Sequence, residues 1–421
     1  MDGDLDPLDA QPAKGCGPLL ADPLSLQKPM RQRVFEYVRA QGSTARSDIS
    51  HALEISAGSA TTLTADLIRA GLLREVARAS REYGRGRPRV ALEIVPQAGY
   101  VVGIKLGGDQ HTAVLCDLAG NRVSAVSTAA PACARTVDTL LDEVESLLIG
   151  VLVQANMTRD KLVGVGIGMA GIVDHTQGLV HWSPLLDADE QAFGAAFTAR
   201  FDLPVVLEND ANMLALSELW FGAGRDMTDF AVVTIESGVG MGLVLDNQLF
   251  RGSFGMGLEL GHTKVQMDGA LCRCGQRGCL EAYISDYALL REARTTLPLP
   301  AAGSTARGPV AMDVLLREAQ ADNPAARAIF ERAGRFLALG LSNVVQLIDP
   351  ALIILSGKHV TANMMFGGDV LARVQPLTLS RNNRMCQIEV HGHDDLDWAR
   401  GATARALMDV TERMFTADLA A

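Results

Sequence analysis

The chain has 421 residues, 48% of them apolar, with 38 Lys and Arg against 49 Asp and Glu for a formal net charge of −11. That length and apolar share can bury a large core in roughly two to four domains, which excludes a short peptide, a fully disordered chain and a fibrous repeat. The charge is uneven: residues 1–27 sum to −4, residues 28–95 to +5 and residues 96–421 to −12, so a small basic unit precedes a large acidic one.

Phosphate attraction acts within a Debye length, so such a unit can bind nucleic acid although the whole chain is acidic. Residues 1–27 scatter Pro, Gly and Asp among a few Leu without a period and are expected to form a disordered acidic tail. No basic then apolar leader opens the chain, and no apolar run reaches the roughly 18–20 residues of a membrane span. The chain is therefore expected to be soluble and cytoplasmic, with no membrane partner.

From Met30 the pattern is helical: Met30, Val34 and Val38 recur at i, i+4, i+8, Phe35 lies beside them and Gly42 is placed as a stop. A second helix, about Ala45 to Leu53, puts Ile49, Ala52 and Leu53 on one face, with Ser43 and Thr44 as cap candidates. Ser56 caps a third helix in which Ala60, Leu63, Leu67 and Ile68 form the core face and which stops at Gly71. Its opposite face carries Ser59, Thr61, Thr62 and Arg69, of which the first three are small hydroxyl residues near the N-terminus, where a recognition helix meets base edges and phosphates. Leu72 to Val76 and Arg89 to Ile94 read as the two strands of a wing, so residues 28–95 are expected to be a winged helix-turn-helix. The wing tip and its flank hold Arg78, Arg81, Arg85, Arg87 and Arg89, with Gly84-Arg85-Gly86-Arg87-Pro88 in the middle. Such arginines fit a narrow minor groove and its phosphates; taken alone, the run is equally a solvated surface loop.

Residues 96–421 alternate strands and helices, the pattern of an α/β domain or pair of domains. A meander of strands over Tyr100–Leu106, Thr112–Asp117 and Arg122–Val126 precedes an amphipathic helix from Val137 to about Gln154. Strands follow at Leu162–Gly168, Val205–Glu208, Phe230–Ile235, Gly240–Leu245 and Ala351–Leu355. Helices are expected from near Gln191, over Ala211–Phe221, and from Leu280 to Val345.

The strongest local signal is His262 followed by Cys272-Arg273-Cys274-Gly275-Gln276-Arg277-Gly278-Cys279. Three thiolates and an imidazole suit one tetrahedral Zn²⁺ per chain, and four filled positions leave no room for a metal-bound water, so the zinc is expected to be structural. The alternative is a set of free buried thiols. Cys16, Cys116, Cys133 and Cys386 stand apart and are expected to be ordinary core or surface residues. Glu259 and Glu281 flank the loop, where rigid carboxylates can accept from several hydroxyls of one ligand, although either is by itself an ordinary surface residue. In Glu208-Asn209-Asp210-Ala211-Asn212, Asp210 is either a helix cap or a ligand group outside the C-terminal end of a strand.

Together, Glu259-Leu260-Gly261-His262 and the Cys-x-Cys-Gly-x-x-Gly-Cys-x-Glu run resemble the ROK family of sugar kinases and sugar-responsive repressors, over nearly the whole chain from about residue 28. Only the repressor branch carries a helix-turn-helix ahead of the kinase-like domain. The resemblance implies two actin-like α/β lobes over residues 96–421, with sugar in the cleft between them. It implies that Asn209, Asp210, Glu259, His262 and Glu281 contact sugar hydroxyls, and that Gly171 of Gly168-Met169-Ala170-Gly171 lines the same cleft. Ala170 stands where the family commonly has Pro. In family kinases the residue matching Asp210 is the general base.

The nucleotide side departs from the kinases. Asp-x-Gly-Gly-Thr becomes Lys105-Leu106-Gly107-Gly108-Asp109, Gly-Thr-Gly-x-Gly-x-Gly becomes Glu236-Ser237-Gly238-Val239-Gly240-Met241-Gly242, and a Gly-Gly pair becomes Leu355-Ser356-Gly357-Lys358. An added carboxylate at Glu236 repels ATP phosphates. The expected function is a sugar-responsive regulator, a repressor of carbohydrate genes released from operator DNA by a sugar or sugar phosphate, acting as a homodimer or homotetramer and not as an enzyme. The alternatives are an ATP-dependent sugar kinase and a regulator released by a partner protein.

Overall fold

The computed structural model describes residues 15–20, 27–77, 90–131, 133–253, 255, 257–298, 307–357, 372–379 and 386–416. Three helices open it: α1 (Met30–Gln41), α2 (Arg46–Ala52) and α3 (Ala57–Arg69). Strand β1 (Leu73–Ala77) then pairs antiparallel with β2 (Val90–Ile94), Leu73 facing Ile94 and Ala77 facing Val90. Val34, Phe35, Val38, Ile49, Ala60, Leu67, Leu73 and Leu92 are buried together, as the 3.6-residue period requires. Ser56 caps α3 by accepting the Ser59 N–H, and Gly42 closes α1 with φ 74°. The cap of α2 is Ala45, not Ser43 or Thr44; Thr44 instead pairs through its backbone with Leu92.

The first lobe is built on a five-stranded sheet of order β5-β4-β3-β6-β9. Strands β3 (Tyr100–Leu106), β4 (Gln110–Asp117) and β5 (Arg122–Ala129) form the antiparallel meander. Parallel to β3 run β6 (Leu162–Met169) and then β9 (Val205–Asn209), with α4 (Val137–Gln154), the hairpin β7 (Ile172–Asp174) to β8 (Leu179–Trp182), and α5 (Phe193–Phe201) on the connections. The expected helix start near Gln191 falls at Phe193.

After α6 (Asp210–Phe221), the second lobe repeats the plan in a sheet of order β12-β11-β10-β13-β14. Strands β10 (Phe230–Ile235), β11 (Val239–Leu245) and β12 (Gln248–Phe250) are the meander; β13 (Leu352–Ser356) and β14 (Gln387–Val390) run parallel to β10. Helices α7 (Glu281–Ile284), α8 (Asp286–Ala293), α9 (Arg307–Gln320) and α10 (Pro324–Ile348) share this lobe's core.

A last helix, α11 (Asp395–Thr416), returns from β14 to pack on β3, β6 and α6, so α6 and α11 lie where the two lobes meet. The three-helix unit is not a separate bead: Phe35 of α1 lies 5.6 Å from Phe415 of α11, ring to ring, and its core is continuous with Trp220 and Leu407. The expectation of disorder over residues 1–27 needs correction at residues 15–20. Cys16 is buried there, its N–H donating to the Arg39 carbonyl, and Gly17 N–H donates to the Trp220 carbonyl. Residues 1–14 and 21–26 lie outside the described residues.

No helix among the described residues is long and apolar enough to cross a membrane.

Candidate functional site

Strand β9 ends where α6 begins, and that junction positions the candidate ligand groups Asn209 and Asp210. Asn209 is the cap: its Oδ1 accepts the Ala211 N–H at 2.9 Å, while its Nδ2 donates to the Gly171 carbonyl at 2.9 Å. The amide thereby ties the β9–α6 corner to the loop after β6, which is how Gly171 and Asn209 come together. Capping by Asn209 leaves Asp210 in the first turn. Burial pushes the Asp210 carboxyl above the usual carboxylate range, with the Lys105 ammonium pulling the other way. The neighbouring Glu208 is committed to structure, taking Arg251 Nε at 2.6 Å and Asn212 Nδ2 at 2.9 Å.

Glu259 opens toward solvent, yet desolvation raises its carboxyl too; the charges of Asp210 and Glu281 add to that rise, while His262 opposes it. Asp210, His262 and Glu281 are thus all within electrostatic reach of Glu259, although Asp210 and Glu281 stand far apart in the sequence. Glu281 is buried, with Oε2 accepting the Val239 N–H at 3.2 Å and Oε1 lying 3.6 Å from Cys272 Sγ. It links the cysteine loop to the β10–β11 turn, so a ligand hydroxyl at Glu281 has to share or displace these donors.

The four donor atoms of His262, Cys272, Cys274 and Cys279 all lie within 4.8 Å of one another. Cys274 and Cys279 Sγ are 3.7 Å apart, as are Cys272 Sγ and His262 Nδ1. A tetrahedron with metal–sulfur bonds of about 2.3 Å has edges of about 3.8 Å, so the spacing fits a metal ion. Gly275 and Gly278, at φ 83° and 80°, take the left-handed turns that fold the loop back. Lys264 Nζ donates to Cys279 Sγ at 3.1 Å and Tyr287 OH to Cys272 Sγ at 3.6 Å, hydrogen bonds that favour sulfur anions. Among the remaining cysteines, Cys16 and Cys116 are buried, Cys386 is half-buried and Cys133 is exposed.

Lys105 Nζ meets Asp395 Oδ1 at 2.5 Å and sits 4.1 Å from the Trp398 ring centroid. Its charge is spent inside the fold. Sequence reading gave no sign of Asp395, because the two residues are 290 positions apart. Residues 236–238 form the β10–β11 turn, in which Glu236 N–H donates to the Gly238 carbonyl, and residues 239–242 open β11. Ser356 ends β13, and Lys358 lies outside the described residues.

In the three-helix unit, Ser59, Thr61, Thr62 and Arg69 are exposed on α3, Thr61 and Thr62 donating to the carbonyls of Ala57 and Gly58. Arg85 and Arg87, with Arg78, Arg81 and Arg89, lie outside the described residues. Arg39, which the sequence did not single out, joins this unit to α6. Its guanidinium lies 4.6 Å from the Trp220 ring centroid, and its Nη1 donates to Thr411 Oγ1 at 2.8 Å.

Two sheets of matching topology, a ligand junction at the start of α6 and a histidine–cysteine loop beside it define an actin-like protein of the sugar-kinase type. The ROK family model matches residues 101–408, and the chain belongs to the ROK family. It is 28% identical over 323 residues to the xylose repressor of Caldicellulosiruptor bescii, covering 74% of this chain and 79% of that protein. It is 32% identical over 268 residues to the glucokinase of Streptomyces coelicolor, covering 62% of this chain and 82% of that one. A crystal structure of a ROK family transcriptional regulator, a homologue of the E. coli MLC protein, superimposes with a TM-score of 0.74 at 25% identity, covering 91% of this chain and 97% of that one.

Proposed function

We propose that the chain is a sugar-responsive transcriptional repressor. Residues 28–95 act as a winged helix-turn-helix on operator DNA, and a sugar or sugar phosphate enters the cleft at Asn209, Asp210, Glu259, His262 and Glu281, beside Gly171. The observation that carries the reading is the path of α6. It begins at the candidate ligand groups Asn209 and Asp210 and ends at Trp220, packed on Arg39 of the three-helix unit. A ligand that moves this helix moves the DNA-binding unit, and couplings between such sites run at about 1–3 kcal/mol. Similarity to the xylose repressor supports the same reading.

His262, Cys272, Cys274 and Cys279 would hold one structural Zn²⁺, which fixes the loop that presents His262 and Glu281. Two such chains in a homodimer, or four in a tetramer, would match a pseudo-palindromic operator. Phosphoryl transfer is disfavoured by the Lys105–Asp395 pair, which stands where family kinases place the acid that organises Mg²⁺. The second reading, an ATP-dependent sugar kinase, is favoured by Asp210 at the position of the family's general base and by the likeness to the S. coelicolor glucokinase.

The test is selection of a DNA site from a random pool by the full-length protein, followed by titration of the complex with sugars and sugar phosphates, with ATP·Mg²⁺ in parallel. Release by a sugar without ATP binding supports the repressor. ATP binding with sugar phosphorylation supports the kinase, and failure to select any DNA removes the repressor.

A further inference from the structure

We propose that Glu218, His391 and His393 form a second divalent transition-metal site, separate from the cysteine loop, that ties the crossover from β14 into α11 to helix α6. Each residue offers one donor atom, and the three donors lie within 4.8 Å of one another. Glu218 is buried on α6, and Oε1 of its carboxylate is 2.9 Å from His391 Nδ1 and 2.6 Å from His393 Nε2. His391 and His393 sit two apart just after β14, the spacing that puts both side chains on one side of an extended segment.

The far sides of these groups argue for an ion. Metal-bound histidines nearly always engage their second ring nitrogen with a carboxylate or another oxygen, which fixes tautomer and ring plane. Both histidines meet this condition: His391 Nε2 lies 2.9 Å from Glu389 Oε2, and His393 Nδ1 lies 2.8 Å from Ser356 Oγ. The other Glu218 oxygen is occupied as well, accepting the Ala223 N–H at 2.8 Å. All three side chains are therefore held from behind by partners in β13, β14 and the segment just after α6.

Two imidazoles and a carboxylate, with no thiolate, suit Zn²⁺, Mn²⁺, Fe²⁺ or Co²⁺ and not a soft monovalent ion. Donors about 2.1 Å from a cation are about 3 Å apart in an octahedron and about 3.4 Å apart in a tetrahedron, so loading requires the 2.9 Å and 2.6 Å contacts to open by up to about 0.8 Å. An ion here clamps α6 to the segment on which α11 leaves the second sheet for the first. Because α6 also carries the ligand groups at one end and Trp220 at the other, the clamp sets the position of the coupling helix.

The experiment uses the full-length protein, stripped of metal, dialysed against Zn²⁺, desalted and analysed for zinc per chain. Two equivalents are expected for the wild type, and His391→Gln, at the more exposed ligand, should lose one of them. Co²⁺ gives an independent reading, since the first equivalent brings thiolate charge-transfer absorption and the second adds none. A wild-type plateau at one zinc, or a count in folded His391→Gln equal to that of the wild type, overturns the site. Thiolate bands that grow through the second Co²⁺ equivalent overturn it as well.

Discussion

Lys105 Nζ and Asp395 Oδ1 are 2.5 Å apart, an ion pair that joins β3 of the first lobe to the first turn of the last helix. Only 9% and 12% of the two side chains is exposed, so the attraction is little screened by solvent. Removing one partner of such a pair costs about 3–5 kcal/mol, whereas replacing both by apolar groups is far cheaper. Lys105→Met is accordingly expected to lower the unfolding free energy in urea by that amount, and Lys105→Met with Asp395→Leu to recover most of it. A single-variant loss below about 1 kcal/mol would mean that the pair contributes nothing beyond a surface contact.

Burial disfavours the ionised form of Asp210 in the folded chain. Because burial raises its carboxyl in the folded chain, the folded state keeps the proton to higher pH than the unfolded state does. Its contribution to stability is therefore lost as pH climbs from the ordinary Asp value through the folded one, and the ionised group is a standing penalty at neutral pH. Asp210→Asn should raise the melting temperature at pH 7 and flatten its dependence on pH in the acid range. The same change removes a charged acceptor worth about 1.5–3 kcal/mol, so sugar affinity should fall by about ten- to a hundredfold in calorimetry. A lower melting temperature with unchanged sugar affinity would contradict both the burial argument and the ligand assignment.

What the sequence disclosed follows from how locally each feature is encoded. Helices α1, α3 and α4 carry apolar residues at helical spacing, and β3, β6 and β13 are short apolar runs, so their existence is visible in a window of a few residues. The cysteine loop is equally local, since Cys272, Cys274 and Cys279 fall within eight positions. Helix α11 escaped because much of its buried face is Ala399, Ala402, Ala404 and Ala406, too weakly apolar to stand out against the rest of the helix. Asp395, Arg39 and Glu218 owe their roles to partners hundreds of residues away, which no pattern of spacing reveals. At the start of α6 two neighbouring cap-forming residues share the work: Asn209 is the N-cap, and the Oδ1 atoms of Asn209 and Asp210 both accept the Ala211 N–H at 2.9 Å.

The cysteine loop predicts a division of labour. Cys274→Ser removes one donor from a set that presents His262 and Glu281 to the cleft, while the three-helix unit has its own buried residues around Val34, Phe35 and Leu67. Zinc content should drop by one equivalent and sugar binding should weaken at least tenfold, whereas affinity for the selected DNA should stay within about twofold. Full sugar affinity in a variant lacking that zinc would show that the loop does not shape the cleft.

The contact between Arg39 and Trp220 carries the coupling argument. A guanidinium over an indole in a desolvated setting is worth about 2 kcal/mol, and here it bridges α1 to the end of α6. Trp220→Leu keeps an apolar side chain at the position but removes the ring. Sugar binding and DNA binding, measured separately, should each change by less than about threefold. The sugar-induced loss of DNA affinity should shrink from the about 5–150-fold typical of coupled sites toward no change. If the variant responds to sugar as the wild type does, the signal travels by another route.

DNA contact by the arginine-rich stretch between β1 and β2 is a matter of phosphate charge, whereas contact by α3 is a matter of base edges, and salt separates the two. Each phosphate neutralised contributes about 0.9 to the slope of log affinity against log salt. Arg87→Ala should weaken binding to every DNA sequence alike and reduce that slope by about 1, with Arg85→Ala behaving the same way. Thr62→Ala on the exposed face of α3 should leave the slope intact and instead change which sequences are preferred, by about 1–3 kcal/mol at the affected position. Filter-binding isotherms at four or five salt concentrations, on the selected site and on scrambled DNA, measure both effects at once. A slope unchanged in Arg87→Ala would remove the arginine stretch from the DNA interface, and unaltered preference in Thr62→Ala would remove that face of α3.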